Sequence, residues 1–239
     1  MNDAKIALIT GANKGIGFET SRQLGQLGFK VLIGARDEQR GKEAVETLKN
    51  EGIDAKALVL DVINQYTIDD AIKFIEEEYG HLDVLINNAG IFLEDGVLPS
   101  QLKFTTLKET FEVNFFGVFA ITRALLPLLR KSIAGRIVNV SSGQGSLTRS
   151  SSNDSSRMQL AYNSSKAAAN MLTIQFAKEL KNTAIKINAA APGYTITDMN
   201  KGKGVRSVQQ ASAVILRLAS LDENGPNGGF FEDGGEIPW

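Results

Sequence analysis

Short runs of Val, Ile and Leu alternate with longer segments of helical period along this whole chain, and that alternation limits the possible folds more than any other feature. The runs are apolar throughout rather than at every second residue, which suits strands of a parallel sheet covered by helices on both faces. Strands are predicted at 5–10, 30–34, 55–60, 82–87, 136–141 and 184–189, with a weak last one at 229–231. Helices are predicted at 16–27, 38–51, 65–79, 106–129, 161–180 and 207–218. The expected fold is α/β: one doubly wound parallel sheet of about seven strands, with helices on both faces. No internal repeat and no linker divides the chain, so 1–239 is read as one domain.

Three connections are long, at 91–104, 143–160 and 192–206, and each follows a strand. In open α/β sheets ligands bind beyond the carboxyl ends of the strands, so these loops lie where a substrate site belongs. Within the second loop Ser146, Ser150, Ser151, Ser152, Ser155 and Ser156 crowd together with Asn153 and Asp154. Such a stretch cannot pack a core and reads as a surface loop or a mobile flap.

With no Cys and a single His, the chain cannot build a disulfide framework, a thiolate nucleophile, an iron–sulfur cluster or a His-rich metal site, and no metal is expected. The lone His81 is read as part of a surface turn. The balance of 26 basic against 27 acidic residues gives no footprint for nucleic acid or an anionic membrane. The apolar runs fall short of a membrane span, and 1–5 leads straight into the first strand, so a cytoplasmic protein is expected.

After the first strand comes Thr10-Gly11-Ala12-Asn13-Lys14-Gly15-Ile16-Gly17. A turn without Cβ atoms lets a pyrophosphate approach the backbone, where the free N–H groups of the following helix meet its charge. The end of the second strand identifies the nucleotide. An acidic residue there would bind a ribose 2′-OH, whereas this chain has Ala35 followed by Arg36. Arg36 together with Lys14 suits a 2′-phosphate, which predicts NADPH over NADH. A solvated pair of Arg36 with the adjacent Asp37 is the alternative. Asp61 and Val62, after the third strand, suit contact with an adenine, although Asp61 is equally suited to cap a helix.

Tyr162 and Lys166 stand four residues apart, one helical turn, and so point from the same face. A nearby ammonium favours the phenolate and brings a Tyr closer to the working range of an acid–base catalyst.

In sequence order, the turn at 10–17, Asn87-Asn88-Ala89-Gly90, Asn114, Ser142, Tyr162-Asn163-Ser164-Ser165-Lys166 and Pro192-Gly193 resemble the motifs of the classical short-chain dehydrogenases/reductases. Ala35-Arg36-Asp37, Thr197-Asp198-Met199 and the terminal Glu236-Ile237-Pro238-Trp239 are most similar to carbonyl-reductase-like members. The resemblance implies a Rossmann fold and an oxidoreductase that passes hydride between a nicotinamide and a carbonyl. It implies Tyr162 as proton donor, Ser142 on the substrate oxygen, Lys166 on the nicotinamide ribose, and Asn114 placing a water for proton relay. Ser141 competes with Ser142 for its role, and Asn114 has the alternative of a buried amide satisfied by backbone.

Around the cofactor the resemblance implies Gly11, Asn13, Lys14, Gly15, Ile16, Gly17, Arg36, Asp61, Val62, Asn88, Ala89 and Gly90. Beyond these it implies Tyr162, Lys166, Pro192, Gly193, Thr195 and Thr197. Thr195 stands where the resembling proteins have an aliphatic residue.

Phe92, Leu93, Met158, Leu160, Tyr194 and Trp239 are the candidate substrate wall, which predicts an apolar ketone or aldehyde, with core packing the alternative for Phe92 and Leu160. Ser142 and Tyr162 lie twenty positions apart, more than in ordinary members. In the resembling carbonyl-reductase-like members extra residues there cover a surface that tetrameric members use, which implies a monomer here, with a dimer as the alternative.

Overall fold

The computed structural model describes residues 4–152 and 158–239. Asn153, Asp154, Ser155 and Ser156 of the serine-rich stretch lie outside the described residues. The chain begins β1 (Ile6–Thr10), α1 (Gly15–Gln26), β2 (Lys30–Ala35), α2 (Glu38–Asn50), β3 (Ala55–Val59), α3 (Gln65–Tyr79) and β4 (Val84–Asn87). It continues with α4 (Phe104–Phe111), α5 (Val118–Leu129), β5 (Arg136–Val140), a short α6 (Leu147–Ser150), α7 (Leu160–Glu179) and β6 (Lys186–Ala190). It ends with α8 (Val208–Ala219), β7 (Phe230–Glu232) and β8 (Gly235–Glu236).

The sheet order is β3-β2-β1-β4-β5-β6-β7-β8. The first seven strands run parallel, and β8 pairs antiparallel to β7 through Phe231↔Glu236 and Glu232↔Gly235. The eighth strand departs from the seven expected because two residues are too few to show any hydrophobic period.

Alternate residues of each strand feed two cores. Ala7 and Ile9 of β1 pack with Leu24, Leu48, Val214 and Leu218, from α1, α2 and α8. Ile6 and Leu8 pack on the other face with Ile75, Ile121, Leu125 and Ala177, from α3, α5 and α7. Burying a side chain of this size contributes about 1.5–3 kcal/mol. Covering both faces in this way is what made the strands read as unbroken apolar runs.

The helix expected over 106–129 is interrupted. A π-helical turn at Glu112–Gly117 separates α4 from α5 and carries Asn114. Apolar spacing runs on through the turn and conceals it from the helical period. The combined run Phe104–Leu129 also has the length and mean hydropathy (1.4 in its most apolar window) of a membrane span, contrary to the sequence expectation. Half of that window is buried inside the fold, where α5 packs on α3 and α4 on α7.

The parallel register aligns Thr10, Ala35, Asn87, Val140 and Ala190 near one edge of the sheet. The strand order reverses between β1 and β4, which opens a crevice at that edge. Under it runs a buried polar ladder: Asn87 Nδ2 donates to Thr122 Oγ1 (2.9 Å) and Asn139 Oδ1 (2.8 Å), and Asn139 Nδ2 donates to Thr173 Oγ1 (2.9 Å).

Candidate active site

The glycine-rich turn between β1 and α1 is shaped by what a side chain would strike. Gly11 has φ +62°, and a Cβ there would lie 2.9 Å from Ala89 Cα. At Gly17 a Cβ would come within 2.4 Å of Asn88 Nδ2. Asn88 ties the turn to the end of β4, its Nδ2 donating to the carbonyls of Thr10 (2.8 Å) and Gly11 (3.0 Å). Thr10 Oγ1 accepts from the backbone N–H groups of both Asn88 and Ala89, each at 3.0 Å. Gly11, Gly17, Asn88 and Ala89 are thus brought together, with the Asn88 side chain and the Ala89 amide serving as struts of the turn.

Lys14 precedes α1 in extended backbone and makes no side-chain cap, so the first amides of that helix lack a capping side chain. At Gly15 a Cβ would meet only Thr197 Cγ2, at 3.9 Å, which leaves this stretch of backbone approachable. The turn therefore fits a dinucleotide pyrophosphate.

On the adenosine side Arg36 is exposed at the end of β2. Asp37 is not its partner: it caps α2 by accepting from Arg40 N–H (2.9 Å), and its carboxylate lies 3.8 Å from Arg40 Nε. Lys14 is engaged elsewhere, its Nζ 2.7 Å from Asp198 in the 192–206 loop. The Lys14 ammonium holds the exposed Asp198 carboxyl below its ordinary value. Asn13, Lys14, Gly15, Phe18, Arg40 and Asp198 all line one cavity of about 680 Å³. Sequence reading missed Arg40, which stands in the first turn of α2, three residues after the Asp37 cap. Asp61 Oδ1 accepts from Ile63 N–H (3.2 Å), and the cap of α3 is Asn64.

Tyr162 and Lys166 project from the first turns of α7 toward the end of β5. Lys166 is 5% exposed, and its Nζ donates to the Val140 carbonyl at 2.8 Å. Gly90 lies beside it, where a Cβ would come within 3.5 Å of Nζ. Burial pulls the Lys166 ammonium down to about 8.

Burial pushes the Tyr162 phenol above its ordinary value, and a hydrogen bond with Ser142 opposes the rise. The sequence argument had Lys166 lowering this phenol. Here Lys166 Nζ lies 5.8 Å from the Tyr162 ring centroid and is bonded to Val140, and the shift of the phenol is set by desolvation and Ser142 rather than by this cation.

Ser142 and Ser141 separate clearly. Ser141 is buried and donates to Asn170 Oδ1 at 2.6 Å, whereas Ser142 faces Tyr162. Asn114 Oδ1 accepts from Ile91 N–H (2.8 Å), and its Nδ2 donates to Ile91 O (2.9 Å) and Ser165 Oγ (3.1 Å). Both of its amide hydrogens are engaged inside the protein, so this side chain has no donor left for the expected relay water.

Among the wall candidates Phe92 meets Tyr162 edge to face, with centroids 5.3 Å apart. Leu93, Met158, Leu160 and Tyr194 are exposed, and Leu160 opens α7 rather than lying in a loop. Trp239 is instead stacked on Phe230 (5.2 Å), on the core cluster of Ala189, Ala191 and Ile237. Gly193, with φ +81°, follows the buried Pro192, and Thr195 turns its hydroxyl back onto Gly193 O (3.1 Å).

The start of the serine-rich stretch is structured, contrary to a loop reading of the whole. Thr148 N–H and Oγ1 donate to Trp239 O (3.0 and 2.7 Å), and Arg149 pairs with both carboxylate oxygens of Glu232 (2.8 and 2.9 Å).

The profile of the short chain dehydrogenase family matches residues 5–206. A short-chain dehydrogenase, anuI, of Penicillium roqueforti is 37% identical, the match covering 90% of this chain and 88% of that protein. The (+)-neomenthol dehydrogenase of Arabidopsis thaliana is 34% identical over 95% of each chain. The crystal structure of an NADPH-bound carbonyl reductase from chicken fatty liver superposes with a TM-score of 0.86, at 27% identity and covering 99% of both chains. The Tyr162–Lys166 pair, the glycine-rich turn and the matches across nearly the whole length lead to one conclusion: the chain belongs to the short-chain dehydrogenase family of oxidoreductases.

Proposed function

We propose that this protein is an NADPH-dependent carbonyl reductase that converts apolar ketones and aldehydes to alcohols, acting as a cytoplasmic monomer whose 1–239 fold carries the substrate site in its three long loops. The observation that carries this reading is the half-buried Tyr162 phenol, bonded to Ser142, one helical turn from the buried Lys166 ammonium and across the crevice from an open glycine-rich turn. A bound reduced nicotinamide supplies the hydride. The α1 amides with Asn13 and Ile16 hold the pyrophosphate side, Asp61 and Val62 the adenine, and Pro192, Gly193, Thr195 and Thr197 the nicotinamide end. Lys166 has one N–H on Val140 and two more to offer ribose hydroxyls.

Tyr162 delivers the proton. The phenol is protonated at neutral pH, as a proton donor to a carbonyl oxygen must be, although burial moves it away from the working range of an acid–base catalyst. Ser142 holds the same oxygen, and Phe92 and Leu93 form an apolar wall beside it. The test is NADPH oxidation with a panel of aromatic ketones, α-keto esters, quinones and aldehydes, run beside Tyr162→Phe. Cofactor binding without turnover of any carbonyl would instead indicate a nucleotide-sensing protein.

Preference for NADPH rests on Arg36, which is exposed and has no ion pair among the described residues, while Arg40 and Lys14 line a cavity whose lining does not include Arg36. Arg36→Ala is expected to weaken NADPH about tenfold to a hundredfold and leave NADH nearly unchanged, since charge-assisted bonds to a phosphate are lost. Equal losses in a titration of both nucleotides would refute the assignment. Asp198→Ala should act in the opposite direction. Releasing Lys14 and removing a nearby carboxylate should tighten NADPH about two- to fivefold, the size of an exposed pair, with NADH unmoved.

A second reading, a dedicated reductase or dehydrogenase of one cyclic terpenoid, draws support from the neomenthol dehydrogenase relative. Menthone-like ketones in the same panel discriminate the two. Sedimentation showing a dimer or tetramer would overturn the monomer.

A further inference from the structure

The segment from Ile91 to Glu94 touches the catalytic helix and its neighbour at three successive points. Ile91 gives both backbone groups to the Asn114 side chain, and Phe92 lies edge-on to the Tyr162 ring. Glu94, 4% exposed, completes the set: its Oε1 accepts from the backbone N–H of Tyr162 at 2.7 Å, across 68 residues of sequence.

The first helical bond of α7 runs from Asn163 N–H to Gln159 O (2.9 Å), so the amides of 160–162 have no helical acceptor, and Gln159 supplies no side-chain cap. Glu94 therefore does from a distant loop what a neighbouring Ser or Asp does in most helices. Its other oxygen, Oε2, is buried with no hydrogen-bond partner among the described residues. An uncompensated buried carboxylate oxygen is costly, and its charge finds support in the positive end of α7.

We propose that Glu94 is a positioning residue for Tyr162, holding the first turn of α7 against the substrate wall so that the phenol keeps its place relative to Ser142. This rests on the reading of Tyr162 as proton donor. Glu94 lies outside the motifs read from the sequence, and it acts only through the backbone amide it binds.

Glu94→Ala removes the acceptor, whereas Glu94→Gln keeps an acceptor oxygen and places an amide nitrogen where Oε2 makes no bond. The test combines residue-resolved amide hydrogen exchange, NADPH titration and steady-state reduction of a ketone that the wild type turns over. Glu94→Ala is expected to lose protection at the Tyr162 amide, to lower kcat about tenfold to a hundredfold as a misplaced group does, and to leave NADPH affinity within about twofold. Glu94→Gln should restore both amide protection and kcat, a rescue that loss of general stability would not give.

An unchanged Tyr162 amide and kcat in Glu94→Ala would overturn the proposal. So would a protected amide with uncorrected kcat in Glu94→Gln, because charge rather than position would then matter. Should Glu94→Ala not fold, a freely exchanging Tyr162 amide in the wild type or in Glu94→Gln overturns it equally. Absence of turnover by the wild type on every carbonyl would defeat the reductase reading, and with it the positioning role, whereas the exchange data report on the Glu94 tie independently.

Discussion

Replacing Tyr162 by Phe is expected to lower kcat for carbonyl reduction by about 10²- to 10⁴-fold, the usual worth of a positioned general acid, while NADPH affinity falls by no more than the roughly 1 kcal/mol of one neutral hydrogen bond. The ring and its edge contact with Phe92 survive the change, and only the hydroxyl bonded to Ser142 is lost. The pH profiles follow from the same environment. Because burial raises the phenol, Tyr162 stays protonated through neutral pH and reduction needs no further ionisation there.

Lys166, pulled down to about 8, is an ammonium below that pH and an amine above it. Reduction should therefore be level on the acid side and decline as pH rises through about 8, when Lys166 loses the charge that steadies the ribose and the developing alkoxide. Oxidation of the alcohol product should instead rise with pH, since Tyr162 must then give up its proton to serve as base. Steady-state rates in both directions across that range decide the matter. A reduction rate that stays level well above pH 8, or a Phe variant within tenfold of wild type, would remove Tyr162 and Lys166 from these roles.

How much of this was legible in the sequence depends on whether a feature is local. The βαβ alternation, the glycine turn and the Tyr162–Lys166 spacing are written into adjacent residues, and the structure has the sheet, the turn and the shared helix face where they were expected. The π turn at Asn114 was hidden because its apolar neighbours keep the helical period, and the partners of the Asn114 side chain, the two backbone groups of Ile91, lie 23 residues away. Glu94 was invisible for the same reason, since its partner is 68 residues away. The direction of the Tyr162 shift was misjudged because a sequence shows the nearby cation and not the depth of burial. The serine-rich stretch looked uniformly loose by composition, yet Thr148 and Arg149 find anchors in Trp239 and Glu232, at the far end of the chain.

Arg136 makes a comparable long-range tie at the opposite edge of the sheet, and its removal should be felt as stability rather than catalysis. It opens β5, is 4% exposed, and is ringed by carbonyls. Its Nε donates to Leu221 O (2.9 Å), one Nη to Gly135 O (2.8 Å) and Ala184 O (3.0 Å), and the other Nη to Asp222 O (3.1 Å). Burial lowers its affinity for the proton and Asp222 opposes this, but a guanidinium starts so high that it stays charged.

The chain after α8 and the chain before β6 are thereby fastened to the central strand. Arg136→Leu fills similar space but leaves four carbonyls without their donor, and unlike the partner of an ion pair these cannot be replaced by apolar groups. The expected cost is about 3 kcal/mol or more, a fall in Tm of about 6–12 °C for a chain of this size. Well below Tm, kcat should be unchanged, because the site lies at the carboxyl edge of the strands. Arg136→Lys keeps the charge but replaces the planar fork with one tetrahedral donor, and should recover only part of the loss. Calorimetry in which Arg136→Leu melts with wild type would mean that water satisfies those carbonyls as well as the guanidinium does, and that the tie adds nothing to the fold.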